Sequence, residues 1–393
     1  MNQGKYVFSQ LMSLISYKSF NSFVDQYRGN YKTKQFNCWK QFVCMSFGQL
    51  TQRDSLSDTI LCLTANTSKL YHLGIGEAIS KTTLSRANET RNWKIYSDHC
   101  LSLIQEAHRL YLNDNNLDLD LSNNVFAIDA TTIDMCLSAF FWAKFRKTKG
   151  GIKIHTQIDL KTSIPTFIHI TPANVHELNI LDMINFEADS FYVVDRGYID
   201  FRRFYRIHSA GAYFITRARK DFSFVLVKSS KVDKKSAIIC DQMIKLKRSN
   251  FYVSRNYPEN FRRIKVYDAE SDRYFVFITN NLELPAIQIA SLYKHRWKIE
   301  LFFKWIKQHL KIQSFWGKSE NAVKTQIWIA ISTYVIVAIA KKRFNLNQSL
   351  YEILQVVSIS VFERTPLHEL FKKTAQQQDF KELNNNQLTI FDL

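Results

Sequence analysis

Acidic residues are scarce in this chain of 393 residues. Asp plus Glu number 35 against 53 Lys plus Arg, a net charge of +18 with a pI near 9.5. An imbalance of that size excludes a partner that is itself basic and points to a polyanion, nucleic acid ahead of an anionic membrane. Cysteines are few and scattered: Cys38, Cys44, Cys62, Cys100, Cys136 and Cys240. No Cys-x-x-Cys occurs and no Cys/His spacing suits zinc, so neither a zinc module nor a disulfide framework is expected. Buried free thiols in a reducing cytoplasm are the reading that remains. The N-terminus lacks the charged, apolar and small-residue order of a signal peptide. Long apolar runs are also missing. The most apolar stretch, Ile327 to Ala340, falls short of the roughly 20 residues of a membrane span and reads as a buried core helix. No internal repeat is visible, and compositional bias is confined to a Gln/Asn-rich tail near 375–387. At 46% hydrophobic residues the chain is globular and long enough for two or three domains.

The pattern along the chain is helical first. Phe8, Leu11, Leu14 and Ile15 follow helical spacing, and Lys40 to Leu63 continues it. After a break at Gly74 and Gly76, Ser80 to Arg91 reads as a capped helix carrying Arg86. A short helix, a turn and this second helix resemble a helix-turn-helix, whose second helix meets base edges. Residues 1–120 are therefore expected to form an all-α DNA-binding domain, bounded by the polar linker Asn113–Asn124. Strands follow at Val125–Asp129, Ile152–Asp159 after a Gly150-Gly151 turn, and Ile164–Ile170. A helix is expected at Glu177–Phe186, a strand at Phe191–Asp195, a helix at Ile199–His208 and a strand at Ala212–Thr216. That order is the order of a ribonuclease-H-like core, a mixed α/β sheet flanked by helices, over 121–217. Basic alternating runs at Phe222–Val227, Phe251–Val253, Ile264–Tyr267 and Arg273–Thr279 read as a β-rich insertion over 218–283. Closing helices are expected over 284–345, one from Pro285 to about Leu310 and one from Ala322 to Arg343. A helical region and tail occupy 346–393.

Three carboxylates stand out in this frame. Asp129 and Asp195 each end an apolar, β-branched run, as a buried strand delivers a residue to the edge of a sheet. Glu300 lies on the helix from Pro285. Tyr293, Arg296, Glu300 and Lys307 are offset by helical steps and fall within about 60° of one another on the wheel, with Trp297 and Lys304 bordering them. Such a face can hold a metal through Glu300 while its cations clamp phosphates. Two strand-borne Asp and one helix-borne Glu suit a pair of hard divalent cations. Asp134, an odd offset from Asp129, belongs on the opposite face of the strand. Asp159 reads as a turn or sheet-edge residue, and His155 and His176 as structural or supporting histidines.

The spacing Tyr293, Arg296, Glu300, Lys307 resembles the YREK signature of the insertion-sequence-four family of DDE transposases. Asp129-Ala130-Thr131 and Asp195-Arg196-Gly197-Tyr198 resemble that family's two aspartate blocks, and the separation of Asp195 from Glu300 leaves room for its β-rich insertion. The resemblance covers roughly residues 1–345. It implies a ribonuclease-H-like core in which Asp129, Asp195 and Glu300 hold two Mg²⁺ ions (Mn²⁺ able to substitute) for cut-and-paste transposition. It further implies that Tyr293, Arg296 and Lys307 contact transposon-end phosphates, that the protein acts as a homodimer on paired ends, and that it works in a prokaryotic cytoplasm, on the nucleoid. Some relatives flip a base onto a tryptophan in the insertion. This chain has no Trp between Trp142 and Trp297, which leaves the stacking aromatic open. Two other readings stand beside this one: a ribonuclease-H-like nuclease acting on branched DNA or RNA, and a catalytically silent DNA-binding protein derived from a transposase.

The last residues, Gln387-Leu388-Thr389-Ile390-Phe391-Asp392-Leu393, resemble the short peptide by which many bacterial proteins dock on the replicative sliding clamp. Leu388, Ile390 and Phe391 would enter an apolar groove, and Gln387 would hydrogen-bond at its edge. The expected outcome is clamp binding by the intact chain and its loss on Leu388→Ala plus Phe391→Ala, measured by surface plasmon resonance. Equal binding by both chains refutes the motif.

Overall fold

A computed structural model describes residues 4–112, 117, 121–144, 150–220, 222–233, 236–247, 257, 259–269, 271–309, 312 and 314–371. The tail residues Gln387, Leu388 and Phe391 lie outside them. The chain divides into two units, Met1–Leu112 with Lys304–Leu393, and Asn113–Phe303.

The first unit is helical, with helices Val7–Met12, Tyr17–Gln26, Cys38–Leu50, Leu56–Ala65, Lys81–Thr90, Lys94–Tyr111, Glu320–Arg343 and Leu350–Ser360. Their starts are written in the sequence. Ser16, Asn37, Ser55, Ser80, Ser319 and Ser349 each accept a backbone N–H from three residues on, and so satisfy a donor that the helix itself cannot. Glu320–Arg343 is apolar on all sides because it is the centre of this unit. Every residue from Thr325 to Ala340 is buried, against Lys94–Tyr111, Cys38–Leu50 and Lys81–Thr90. By length and composition alone it could cross a membrane, and its burial among helices accounts for that composition. Polar ties fix its register. The Tyr111 hydroxyl donates to the Ala338 carbonyl at 2.8 Å, and the Asn321 amide donates to the carbonyls of Asn88 and Arg91 at 2.8 and 2.6 Å.

The second unit is built on one nine-stranded mixed sheet. Its strands are β1 Val125–Met135, β2 Gly150–Asp159, β3 Pro165–Pro172, β4 Phe191–Val194, β5 Tyr213–Arg217, β6 Phe224–Ser230, β7 Ile238–Leu246, β8 Phe261–Asp268 and β9 Arg273–Thr279. The order across the sheet is β3-β2-β1-β4-β5-β9-β8-β7-β6. Only β1–β4 and β4–β5 pair in parallel. The residues Val125–Ile128 and Phe191–Val194 are buried throughout, as continuous apolar runs must be when a strand is covered on both faces. Helix Phe201–Ser209 packs on this centre, with Phe204 stacked on Phe214 at 4.3 Å between ring centroids.

Several expectations need correction. β1 does not stop at Asp129 but runs on to Met135, pairing Thr131–Met135 with Ile154–Gly150. Gly150 and Gly151 are strand residues rather than a turn. A Cβ on Gly151 would come within 3.2 Å of both the Ala173 Cβ and the Ile133 carbonyl, so close packing, not a reversal, requires glycine there. The helix expected over Glu177–Phe186 is a 3-10 turn, Glu177–Asp182. Asp182 is drawn into ion pairs with Arg203 and Arg206, and the Glu187 N–H donates to the Tyr192 hydroxyl, so side-chain partners outcompete another helical turn. The basic strands after Arg217 continue the same sheet: β9 pairs with β5, and β8, β7 and β6 follow. Within that extension β7 gave no clear alternation, because its register shifts between Ile238 and Cys240; Phe251–Val253 lies outside the described residues. Finally, the helix from Pro285 is two helices, Ala286–His295 and Trp297–His309. The Arg296 N–H bonds to the Tyr293 carbonyl and the Ile299 N–H to the Arg296 carbonyl. These three-residue spacings tighten the chain at Arg296 and break the single wheel.

The extension is pinned by one largely buried ion pair. Arg262 on β8 binds both Asp241 oxygens on β7, at 2.7 and 2.6 Å, and donates to the Leu284 carbonyl at 2.5 Å. The two side chains are only 10% and 14% exposed. Asp241→Ala strands that guanidinium and is expected to cost about 3–5 kcal/mol, read from the urea midpoint. Adding Arg262→Met should recover most of the loss.

Candidate active site

The β1–β4 ladder ends at the pair Ile128↔Val194. Asp129 and Asp195 are the next residues on the two parallel strands. Neighbouring parallel strands keep a common direction, so both carboxylates emerge at the same edge of the sheet. Asp129 still belongs to β1, where it pairs with Thr156 on β2. Asp195 has left its strand and opens the 3-10 turn Arg196–Tyr198, whose last N–H donates to the Asp195 carbonyl at 2.9 Å.

Glu300 reaches this edge through Arg296. The Arg296 Nη2 donates to Glu300 Oε1 at 2.6 Å, and its Nη1 lies 3.5 Å from Asp129 Oδ2. Burial opposes the charge on Arg296, but the hydrogen bond to Glu300, then Tyr293 and Asp129, outweigh it and hold the guanidinium above its ordinary pKa. Its Nε is buried without a partner among the described residues. Tyr293 packs on Phe277 of β9 at 4.9 Å, with Arg296 5.7 Å from its ring centre. Burial raises its phenol pKa, keeping it a neutral donor.

Asp129 carries the main electrostatic load. Burial pushes its carboxyl up to about 6 from 3.8, against the Ala130 N–H at 2.8 Å and Arg296, and with help from Asp195 and Glu177. Three carboxylates therefore bear on one half-buried edge, and all their donor atoms are oxygens, the set preferred by hard divalent cations. Among the described residues, no three His, Cys, Asp or Glu side chains converge closely enough as they stand to hold a metal. Arg296 bridges Asp129 and Glu300 instead.

The remaining expected residues fall as follows. Trp297 is 58% exposed and, with Val266, Phe275, Phe277, Ile287, Tyr293 and Arg296, lines a cavity of about 670 Å³ between β8, β9 and helix Ala286–His295. Lys304 is exposed and Lys307 half-buried on the helix that carries Glu300, past the unit boundary at Phe303. Asp134 is exposed, on the opposite face from Asp129. The Asp159 carboxylate accepts from the Lys161 N–H in the turn after β2. His155 bonds Thr171 at 2.9 Å and is pushed down to about 4 by burial, then by His169 and Lys153. His176 caps the Glu177–Asp182 turn. Sequence reasoning missed Glu177 and Tyr198, although Tyr198 stands inside the quoted aspartate block.

In the helical unit, Arg86 is exposed on Lys81–Thr90 and borders a groove of about 630 Å³ with Arg28, Lys32, Lys34 and Arg91. Among the described residues, no acidic side chain lines that groove. Arg91 is turned inward, to Gln41 and the Phe36 carbonyl. The compact two-helix reading motif does not form with the preceding helix. Leu56–Ala65 is separated from Lys81–Thr90 by two 3-10 turns and Gly74 at φ +76°.

Residues 120–336 match the family model described as "Transposase DDE domain". That span is more than half of the chain, and the chain belongs to this family. Residues 3–76 match a domain of unknown function (DUF4372). A protein of Sinorhizobium fredii named as transposase y4zB is 33% identical over 227 residues, 57% of this chain and 63% of that protein. One of Geobacillus stearothermophilus, named as a transposase for insertion sequence element IS5377, is 25% identical over 211 residues, 53% and 54% of the two chains. One of Synechocystis, named as a transposase for element IS4SA, is 23% identical over 271 residues, 66% and 72%. The chain thus spans less than two thirds of the length of the first two relatives.

A raised carboxyl pKa has a stability consequence with a definite sign. The folded state holds the Asp129 proton more tightly than the unfolded chain does. Stability from this group is present below about pH 4 and is lost as pH rises through about 6. Asp129→Asn should therefore stabilise the metal-free protein at pH 8 by roughly 2–3 kcal/mol and change little at pH 4. Thermal melts across that range test this; a variant with the wild-type pH profile refutes it.

Proposed function

We propose that this chain is a cut-and-paste DNA transposase of the insertion-sequence-four type. The carrying observation is the register of two parallel strands, which end together at Asp129 and Asp195, with Arg296 tying Asp129 to Glu300. The central order β3-β2-β1-β4-β5, with β1, β3, β4 and β5 running one way and β2 the other, supports a ribonuclease-H-like core. Family membership and the relatives' printed names support the substrate class.

Asp129, Asp195 and Glu300 would hold divalent cations, Mg²⁺ by the oxygen character of the set. Held there, such cations would supply activation of the attacking oxygen and charge stabilisation at the leaving one for in-line displacement at phosphorus. The chain's own contribution is placement. Arg296 is a fixed, fully charged guanidinium beside the carboxylates, and an incoming phosphate competes for its donors through the same planar fork. Tyr293 offers a neutral phenol next to it. Lys307, Lys304 and the exposed Trp297 extend the DNA-contacting set along the helix, and the basic groove around Arg86 gives the helical unit its own hold on a phosphate backbone. A homodimer on paired ends and a clamp contact through the tail complete the proposal.

The experiment is strand cleavage and strand transfer with Mg²⁺ on duplexes carrying the inverted repeats that flank the gene. Asp129→Ala, Asp195→Ala and Glu300→Ala should each lower cleavage by about three orders of magnitude or more while leaving gel-shift binding of the ends in place. Undiminished cleavage by any of the three removes that residue from the site. Cleavage without strand-transfer products favours a hydrolytic nuclease instead.

A further inference from the structure

Two tight turns close over the acidic edge. Glu177–Asp182 follows β3 and Arg196–Tyr198 follows β4, and the two pack against each other. The first brings Glu177, whose Oε1 lies 3.2 Å from Lys153 Nζ on β2; that ammonium also donates to the Val175 carbonyl at 3.1 Å. The tether fixes the glutamate at the start of its turn. The second brings Tyr198. Its side chain is 1% exposed, and its hydroxyl has no hydrogen-bond partner among the described residues.

The Tyr257 hydroxyl is likewise buried without a partner among the described residues; that of Tyr198 differs in the charged groups around it. The groups that bear on the Tyr198 hydroxyl are, after burial itself, Asp129, Glu177, Asp195 and Arg296. Burial first, and then those carboxylates, hold the phenol firmly protonated, so it can donate a hydrogen bond but cannot serve as a base. Glu177 in turn bears on Asp129 as well as on Tyr198. Asp129, Glu177 and Asp195 thus all bear on one orphaned donor, while Glu300 joins them only through Arg296.

We propose that Glu177 and Tyr198 are positioning residues of the acidic site: Glu177 is a fourth carboxylate acting on the bound cations, and Tyr198 donates to the oxygens gathered around them. The proposal rests on the metal-dependent reading above. Glu177 strengthens the negative field that draws a cation in, and Lys153 keeps it from collapsing onto its neighbours. Tyr198 orients an oxygen of the filled site, as outer partners of metal ligands do.

The test uses the full chain, with Mn²⁺ alone as the first probe. Glu177→Gln should weaken Mn²⁺ binding, followed by electron paramagnetic resonance, by about 10- to 100-fold, and Glu177→Asp should recover part of it. Tyr198→Phe, which removes one oxygen and no hydrogen bond among the described residues, should lower kcat for end cleavage with KM for DNA unchanged. Asp129→Ala is run in parallel. If it abolishes binding and cleavage while Glu177→Gln and Tyr198→Phe match wild type, this inference falls and the catalytic reading stands. If Asp129→Ala also matches wild type, the catalytic reading falls. Should Glu177→Gln fail to fold, Tyr198→Phe decides alone: a kcat equal to wild type overturns the proposal.

Discussion

The parallel pairing of β1 with β4 is the constraint on which the site depends. Val125–Ile128 and Phe191–Val194 are buried on both faces, so their register cannot slip by one residue without turning each strand's side chains over. That burial, rather than any contact made by the aspartates, determines where Asp129 and Asp195 emerge. Once they do, like charges crowd a poorly solvated edge, and Arg296 is the cation that the fold supplies against them. The guanidinium lies where the chain tightens between two helices. Across the joint Arg296 keeps an i,i+4 ion pair with Glu300 and also meets Asp129.

Much of this was legible in the residues. Apolar runs ending in Asp, serine caps three residues before a helical N–H, and an apolar helix too buried to need a polar side are local signals, and local physics carries them. Glu300 and Arg296 were visible because helical spacing is short-range. What could not be read was set by partners far along the chain. The second half of β1 exists because Gly150–Ile154 is there to pair with it. The turn at Glu177 is tight because Arg203 and Arg206 take Asp182. Tyr198 carried no sequence signal of its own beyond its place in the Asp-Arg-Gly-Tyr block, since an unpartnered hydroxyl can be recognised only once everything around it has been placed. Glu177 is of the same kind: nothing in its neighbours in sequence says that Asp129 lies within its electrostatic reach.

The helical unit makes a complementary point about charge. Its groove collects Arg28, Lys32, Lys34 and Arg86 from two separate segments, while Arg91 of the same stretch is consumed in holding Phe36 and Gln41 in place. Net charge alone cannot distinguish a cation that faces a ligand from one that braces the fold. Only the hydrogen-bond accounting separates them.

The β-rich segment leaves the centre of the sheet at Arg217 and comes back at Phe277, and these two residues are paired directly across β5 and β9. Exit and entry are therefore neighbours, and Asn280 stitches them by bonding both the Phe214 N–H and the Ala212 carbonyl. A chain segment whose ends meet can lengthen, shorten or be exchanged over evolutionary time without moving the strands on either side. The acidic edge and its helix would keep their geometry while the extension diversified, so length and sequence can vary in this span without disturbing the carboxylates.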